Sequence, residues 1–426
     1  MAAPQIGSGD ETLLSGTAPA PRFGQFAQSF RALRHRNFRL FISGQIVSLV
    51  GTWMQNVSQS WLVYRLTHSA LLLGTASFCS QIAVFALAPV GGLAADRFSR
   101  QKLVIVTQTL SMFQAFALAA LTLTGRVQVW HVMALAGMLG VINAFDMPGR
   151  QSLVIHMASQ EDLLPAISLN SAVFNAARVL GPGVAGVVVA ALGEGVCFLL
   201  NGVSFLAVIA CLAMMRIPPV ERKPATAALR HLADGFRYGW NHVAVRRVLG
   251  LMAAATVAGT PVIVLIPFFA GDIFHRGSRG LGFLMAAMGC GAVVGTLVLA
   301  RHAKVADLPR VMTYGGIAVG CTYLAFALSP WYWFSLAVMP VMGYFVVRQM
   351  ASANTTIQTT IPDEYRGRVM ALYSMTVVGL VPFGSLAAGA LAGRFGARAV
   401  VAMGGVLAMA AAVAFGWSVR EKKIAA

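Results

Sequence analysis

Apolar residues gather into long runs bounded by charges or by Gly and Pro, at about residues 38–64, 71–95, 103–124, 129–150, 165–192 and 195–216. The pattern then breaks over 217–247, the longest polar interval between runs, which carries Glu221, Arg222, Lys223, Pro224, Arg230, Asp234, Arg237, Arg246 and Arg247. Six further runs follow, near 248–272, 280–300, 311–329, 331–355, 369–393 and 398–418. A helix of roughly 17–25 apolar residues crosses the hydrocarbon of a bilayer, so each run is a candidate span. Twelve spans of about 21 residues leave about 174 of the 426 residues for loops and tails. The expected fold is an all-α membrane protein with twelve transmembrane helices in two six-helix bundles. Its expected parts are a tail over 1–37, a first bundle over 38–216, a central loop over 217–247, a second bundle over 248–418 and a tail over 419–426.

Composition agrees with that reading. The chain is 58% hydrophobic and 11% charged, with a mean hydropathy of +0.73. A soluble domain carries about 25% charged residues, so the apolar surplus here must face lipid. The net charge of +18 would suit a nucleic-acid binder, but the cations sit in short intervals between apolar runs rather than on a basic face with interleaved aromatics. With the N-terminus placed inside, 24 Lys and Arg fall in inner intervals, 6 in outer loops, and two (Arg178 and Arg348) within spans. That asymmetry puts both tails in the cytoplasm. The first 37 residues lack the short apolar core of a secretory signal, so no removable leader is expected. Cys79, Cys197, Cys211, Cys290 and Cys321 all lie in apolar runs without metal-ligand spacing, so neither disulfide nor metal is expected.

Polar residues inside the runs supply the candidate chemistry. In the first run Gln45, Ser48, Thr52, Gln55 and Gln59 are spaced 3, 4, 3 and 4, which places them on one helical stripe. Unpaired polar groups are costly in hydrocarbon, so the stripe faces either water or partner helices. Ser168, Ser171, Asn175 and Arg178 repeat the arrangement in the fifth run, and Thr107, Ser111 and Gln114 in the third. Three such stripes favour a shared aqueous path lined by Gln45, Thr52, Gln55, Gln59, Gln114, Asn175 and Arg178. Arg178 lies near mid-membrane, where an unpaired guanidinium costs about 3 kcal/mol or more. Asp146 is its natural counter-charge, although Arg150 at i+4 is also within reach. As almost the sole carboxylate inside a span, Asp146 is the proton-coupling candidate. Arg348, with Tyr344 four residues before it, is either a cavity cation of the tenth run or a side chain snorkelling to the inner interface.

The halves echo each other at an offset of about 200 residues: Val154-Ile155-His156 before Glu161-Asp162, and Thr356-Ile357-Gln358 before Asp363-Glu364. Such an echo is the mark of a duplicated transporter fold. The loop after the second run, Gly92-Leu93-Ala94-Ala95-Asp96-Arg97-Phe98-Ser99-Arg100, resembles the major facilitator superfamily signature G-x-x-x-D-R-x-G-R-R, with Ser99 in place of a glycine. The resemblance implies a conformational latch made by Gly92, Asp96, Arg97 and Arg100, with Arg150 beside it. Residues 143–151 and 362–369 look like the branch that holds the enterobactin exporters and the transmembrane secretion effectors. That branch implies a bacterial inner-membrane exporter of siderophores, drugs or other amphipathic metabolites, by proton antiport. Gly181, Pro182 and Gly186 match only the end of the Gly-Pro antiporter motif G-x-x-x-G-P-x-x-G-G, and a kinked packing helix explains them equally well.

Leu229, Leu232, Phe236, Trp240 and Val243 give the central interval the spacing of an amphipathic helix on the inner leaflet. Arg22, Arg31, Arg34, Arg36 and Arg39 make the first tail an inner-surface anchor. Eight scattered histidines and the absence of a P-loop or H-E-x-x-H speak against an enzyme or an ATP-driven pump. The expected partners are a small amphipathic substrate, protons and the bilayer, with no nucleic acid, cofactor or metal, in a monomer. A facilitator-fold importer or uniporter is the alternative.

Overall fold

The computed structural model of the chain describes residues 30–155, 157, 159–216, 241–302 and 307–424. Their regular structure is helical throughout. The first bundle comprises α1 (Arg36–Thr67), α2 (Ala70–Arg97), α3 (Arg100–Leu123), α4 (Val129–Ile155), α5 (Leu163–Leu192) and α6 (Glu194–Ala213). The second comprises α7 (Val243–Phe268), α8 (Gly277–His302), α9 (Leu308–Leu328), α10 (Tyr332–Thr360), α11 (Asp363–Gly379), α12 (Val381–Phe395) and α13 (Ala397–Ile424). Among the described residues eleven spans are long and apolar enough to cross a membrane, with α11 and α12 counting as one. The twelfth, α1, has 32 residues and ample length, but its polar stripe lowers its hydropathy.

The eleventh span is broken where an unbroken helix is expected. Pro382 offers no N–H to the carbonyl of Val378 and crowds it, so the helix stops at Gly379 and restarts with the proline in its first turn. The last helix runs on to Ile424, past the end of its apolar span at Val419, so the tail expected over 419–426 starts out helical. The predicted central amphipathic helix and most of the N-terminal anchor lie outside the described residues.

The halves are built alike. The tight turns between the fifth and sixth spans and between the eleventh and twelfth are made by Gly193 and Gly396, with φ of 83° and 84°, a region that only glycine enters without strain. Between the bundles, α5 packs on α8 and α2 on α12. The buried apolar residues form three clusters. One crosses both bundles, from Tyr64, Leu118 and Phe198 to Val262, Phe269 and Tyr332. The other two lie nearer the termini and each stays within its own bundle, around Phe38, Leu153 and Leu212 or around Val248, Ile357 and Tyr373. The bundles thus share a core at the end far from the termini and separate at the end near them.

Candidate functional site

Small residues make the joint at the far end. A Cβ on Gly186 of α5 would stand 2.9 Å from the Ser278 carbonyl oxygen and 3.0 Å from the Cα of Gly282 in α8. On the opposite seam a Cβ on Gly74 of α2 would collide with the Ser385 carbonyl, and the Ser77 and Ser385 hydroxyls lie 2.9 Å apart. Above both seams the Tyr64 hydroxyl donates to Asp272 at 2.6 Å, tying α1 to the π-turn Phe269–Ile273 that follows α7. His68 stands 3.8 Å from the same carboxylate.

The stripe of α5 that meets α8 through Val179, Pro182 and Gly186 continues towards the termini as Leu164, Ser168, Ser171 and Asn175, by steps of three and four. There it is uncovered, with Leu164 76% exposed. The stripe of α2 behaves in the same way. Gly74, Ser77 and Phe85 are engaged with α11 and α12, whereas Ala88, Gly92 and Asp96 on the same side face open space. A gap between the bundles therefore opens on the side of the termini and narrows to a floor at mid-depth.

Arg178 faces that floor. Its position on α5 lies between the contacts of Gly181 with Trp53 of α1 and of Val179 with Gly289 of α8. Its guanidinium makes no hydrogen bond or ion pair with the described residues, and Asn175 and Ser171 continue its side of the helix. Pro182 also deprives the Arg178 carbonyl of its usual donor, and that oxygen would stand 3.2 Å from a Cβ on Gly289. From α1, Thr52 and Gln59 are half-buried on the side away from α6, and Asn56 between them is exposed. Asn56 was missing from the expected set, although its i+4 spacing from Thr52 was a readable signal.

Other expected cavity residues are turned elsewhere. Gln55 lies 1% exposed inside the first bundle, donating to Gln114 at 2.9 Å and accepting from Asn201 at 2.7 Å. Gln45 accepts from Arg150 at 2.7 Å. These glutamines join helices rather than line water, because α1 turns them towards α3, α4 and α6. Asn201, the third member of the first network, was legible only as a lone amide in an apolar run.

Asp146 does not reach Arg178. Its oxygens accept from Thr107 at 2.7 Å, Gln108 at 2.8 Å and Arg150, all in the interior of the first bundle. Arg150 is therefore bound to α4 and α1 in this conformation. A Cβ on Gly92, which the resemblance assigns to the latch, would meet nothing within 4 Å. Its neighbour Gly91 makes the close approach instead, against the Ala144 carbonyl of α4. Asp96 and Arg97 are exposed at the end of α2.

Tyr344 and Arg348 lie outside the gap. α10 meets α8 through Pro340 and the Tyr344 backbone, and α9 through Gln349. The exposed residues Trp333, Phe334 and Val341 run along the arc between those contacts, opposite the buried Met339, Met342 and Ala353, and Tyr344 and Arg348 continue it. They stand on the outer flank of the second bundle.

One charged cluster escaped the sequence reading. In the turn between α4 and α5, the buried Asp162 meets Arg34 Nε at 2.7 Å and His35 Nε2 at 2.8 Å. The hydrogen bond from His35, and then those from Arg34, hold its carboxyl below the usual carboxylate range against the opposing effect of burial.

Comparison with known proteins bears on this geometry. A family model described as "transmembrane secretion effector" matches residues 27–426. The staphyloferrin A transporter of Staphylococcus aureus is 24% identical over 91% of this chain and 97% of its own length. The multidrug efflux pump Tap of Mycolicibacterium fortuitum is 24% identical over 84% and 90%. Among solved structures, a bacterial homologue of the iron transporter ferroportin in an inward-facing state superposes with a TM-score of 0.67 at 15% identity, over 89% of this chain and 98% of that one.

Proposed function

Because this chain belongs to the transmembrane secretion effector family, a set of membrane transporters rather than enzymes, we propose that it is an alternating-access exporter of acidic amphipathic metabolites, siderophores among them, captured open towards the cytoplasm. The observation that carries the reading is Arg178. It is a cation at the floor of the gap with no neutralising anion among the described residues, flanked by Asn175, Ser171, Thr52, Asn56 and Gln59. A substrate carboxylate or phenolate supplies the missing charge through charge-assisted hydrogen bonds to the guanidinium. Export accords with the efflux pump among the relatives and with entry from the cytoplasmic side.

Release requires the opposite state. The Gly186 and Gly74 seams part, and the open stripes of α5 and α2 close, bringing Gly92 and Asp96 against the second bundle. Proton coupling is assigned to Asp146. Its carboxylate is held by Arg150, so coupling requires that contact to open, which links transport to the motion of α4 against α1.

The experiment is accumulation of acidic siderophores, neutral dyes and antibiotics in cells with and without the gene, with and without an uncoupler. Arg178→Gln should abolish efflux of the acidic compounds while the protein still inserts, and Arg178→Lys should retain part of it. Asp146→Asn should remove the response to a pH gradient. Undiminished efflux by Arg178→Gln would sink the substrate assignment, and undiminished gradient-driven transport by Asp146→Asn would sink the coupling assignment.

A further inference from the structure

Arg348 presents an electrostatic problem that the transport site does not solve. It stands on the outer flank of α10, on the arc that carries Val341 and Trp333, so its surroundings in the cell are lipid. Its Nη1 donates to the Tyr344 hydroxyl at 2.7 Å, and its guanidinium carbon lies 5.2 Å from the centre of that ring. A phenol and a π face leave most of the charge unanswered. Its Nε is shielded from solvent and has no acceptor among the described residues.

A cleft of about 350 Å³ opens beside it, between α9 and α10, lined by Asp307, Arg310, Tyr314, Gly315, Phe345 and Arg348. Among the described residues that line it, the carboxylate of Asp307 faces Arg310 at 4.0 Å. That described lining carries two guanidinium groups against one carboxylate, a surplus of one positive charge. Arg310 and the exposed Tyr314 lie within the first two turns of α9, so its mouth is level with the membrane surface on the side of the termini, and Arg348 forms the deeper wall.

We propose that this cleft binds the headgroup phosphate of an anionic phospholipid from the leaflet on the side of the termini. The phosphodiester sits between Arg348 and Arg310, accepting from the two guanidinium groups and from the Tyr314 hydroxyl, and the acyl chains run along the apolar flank past Phe345 and Val341. A phosphodiester carries the single negative charge the cleft lacks, and a guanidinium presents two donors to two of its oxygens. A basic pocket between helices at this membrane level is the setting in which such headgroups are held.

The test uses the full chain, purified in a neutral detergent. Native mass spectrometry should show one phosphatidylglycerol retained in preference to phosphatidylcholine. Arg348→Gln should weaken that retention about tenfold, the loss of roughly one charge-assisted hydrogen-bonded contact, and Arg348→Lys should weaken it less. Phosphatidylglycerol should raise the Tm of the wild type and not that of Arg348→Gln. Arg310→Gln, at the exposed mouth, supplies the second variant should Arg348→Gln fail to fold, and it should weaken retention several-fold. Equal retention of the two lipids by the wild type, or retention unchanged in a folded variant, would overturn the proposal. So would inorganic phosphate raising the Tm as much as phosphatidylglycerol does, since the cleft would then be a site for a free anion. None of these outcomes depends on what Arg178 binds.

Discussion

Inside the first bundle seven amide and carboxylate side chains are buried within the spans among the described residues: Gln45, Gln55, Gln108, Gln114, Asp146, Asn201 and, at the outer end of α6, Glu194. At the corresponding depth the second bundle buries Gln349 alone of these types among the described residues, and fills its interior with residues such as Phe269, Phe326, Tyr323 and Met339. The backbone differs in parallel, since the break at Leu380 and the π-turn at Phe269–Ile273 both belong to the second bundle. Hydrogen bonds fix direction as well as distance, whereas apolar contacts tolerate sliding. The comparison teaches that one topology has been given a stiff half, which carries the polar face of the gap, and a compliant half, which carries the irregular helices.

Removing the central polar contacts of the first bundle should break that contrast most severely. Asp146→Ala leaves Arg150 with half its partners and should cost about 3–5 kcal/mol, seen as a large fall in monodisperse protein on size exclusion. Gln55→Leu strands Gln114 and Asn201 and should cost about 1–3 kcal/mol, whereas Gln349→Leu in the second bundle should cost less. Equal losses at Gln55 and Gln349 would remove the distinction between the halves.

The joint between the bundles gives a smaller and more specific effect. Gly186→Val puts a branched side chain against Ser278 and Gly282, where even a Cβ is crowded. Closure at the far end should then be disfavoured, and spin labels across the α5–α8 seam should report a wider separation there. Unchanged distances would show that the second bundle yields enough to absorb the added volume.

The least effect is expected at the rim. Asp162 has a depressed folded pKa, so its contacts with His35 and Arg34 contribute stability above the ordinary carboxylate range and lose it as the pH falls through that lower value. Thermal unfolding of the wild type should weaken over that acid range, and Asp162→Asn should flatten the slope. A slope unchanged by the substitution would assign the acid sensitivity to other carboxylates.

The twelve spans and their grouping were legible because hydrocarbon demands long apolar runs and the central polar interval interrupts them. The rotation of each helix was not. Gln55 and Thr52 lie on one stripe, yet one meets Asn201 and the other the gap, a difference of a few tens of degrees that only the neighbours decide. Arg348 was open to a cavity and to an interfacial reading for the same reason, since both flanks of α10 leave the spacing unchanged. Asp162 and His35 are 127 residues apart, and no local pattern announces their meeting.

Gly92 gains nothing from lacking a side chain in the state seen here, although a glycine in mid-helix costs about 1 kcal/mol relative to alanine. Any benefit it confers must belong to another member of the conformational cycle. Selecting variants at this position by heat resistance would therefore favour alanine and quietly enrich for transporters that rest too long in one pose.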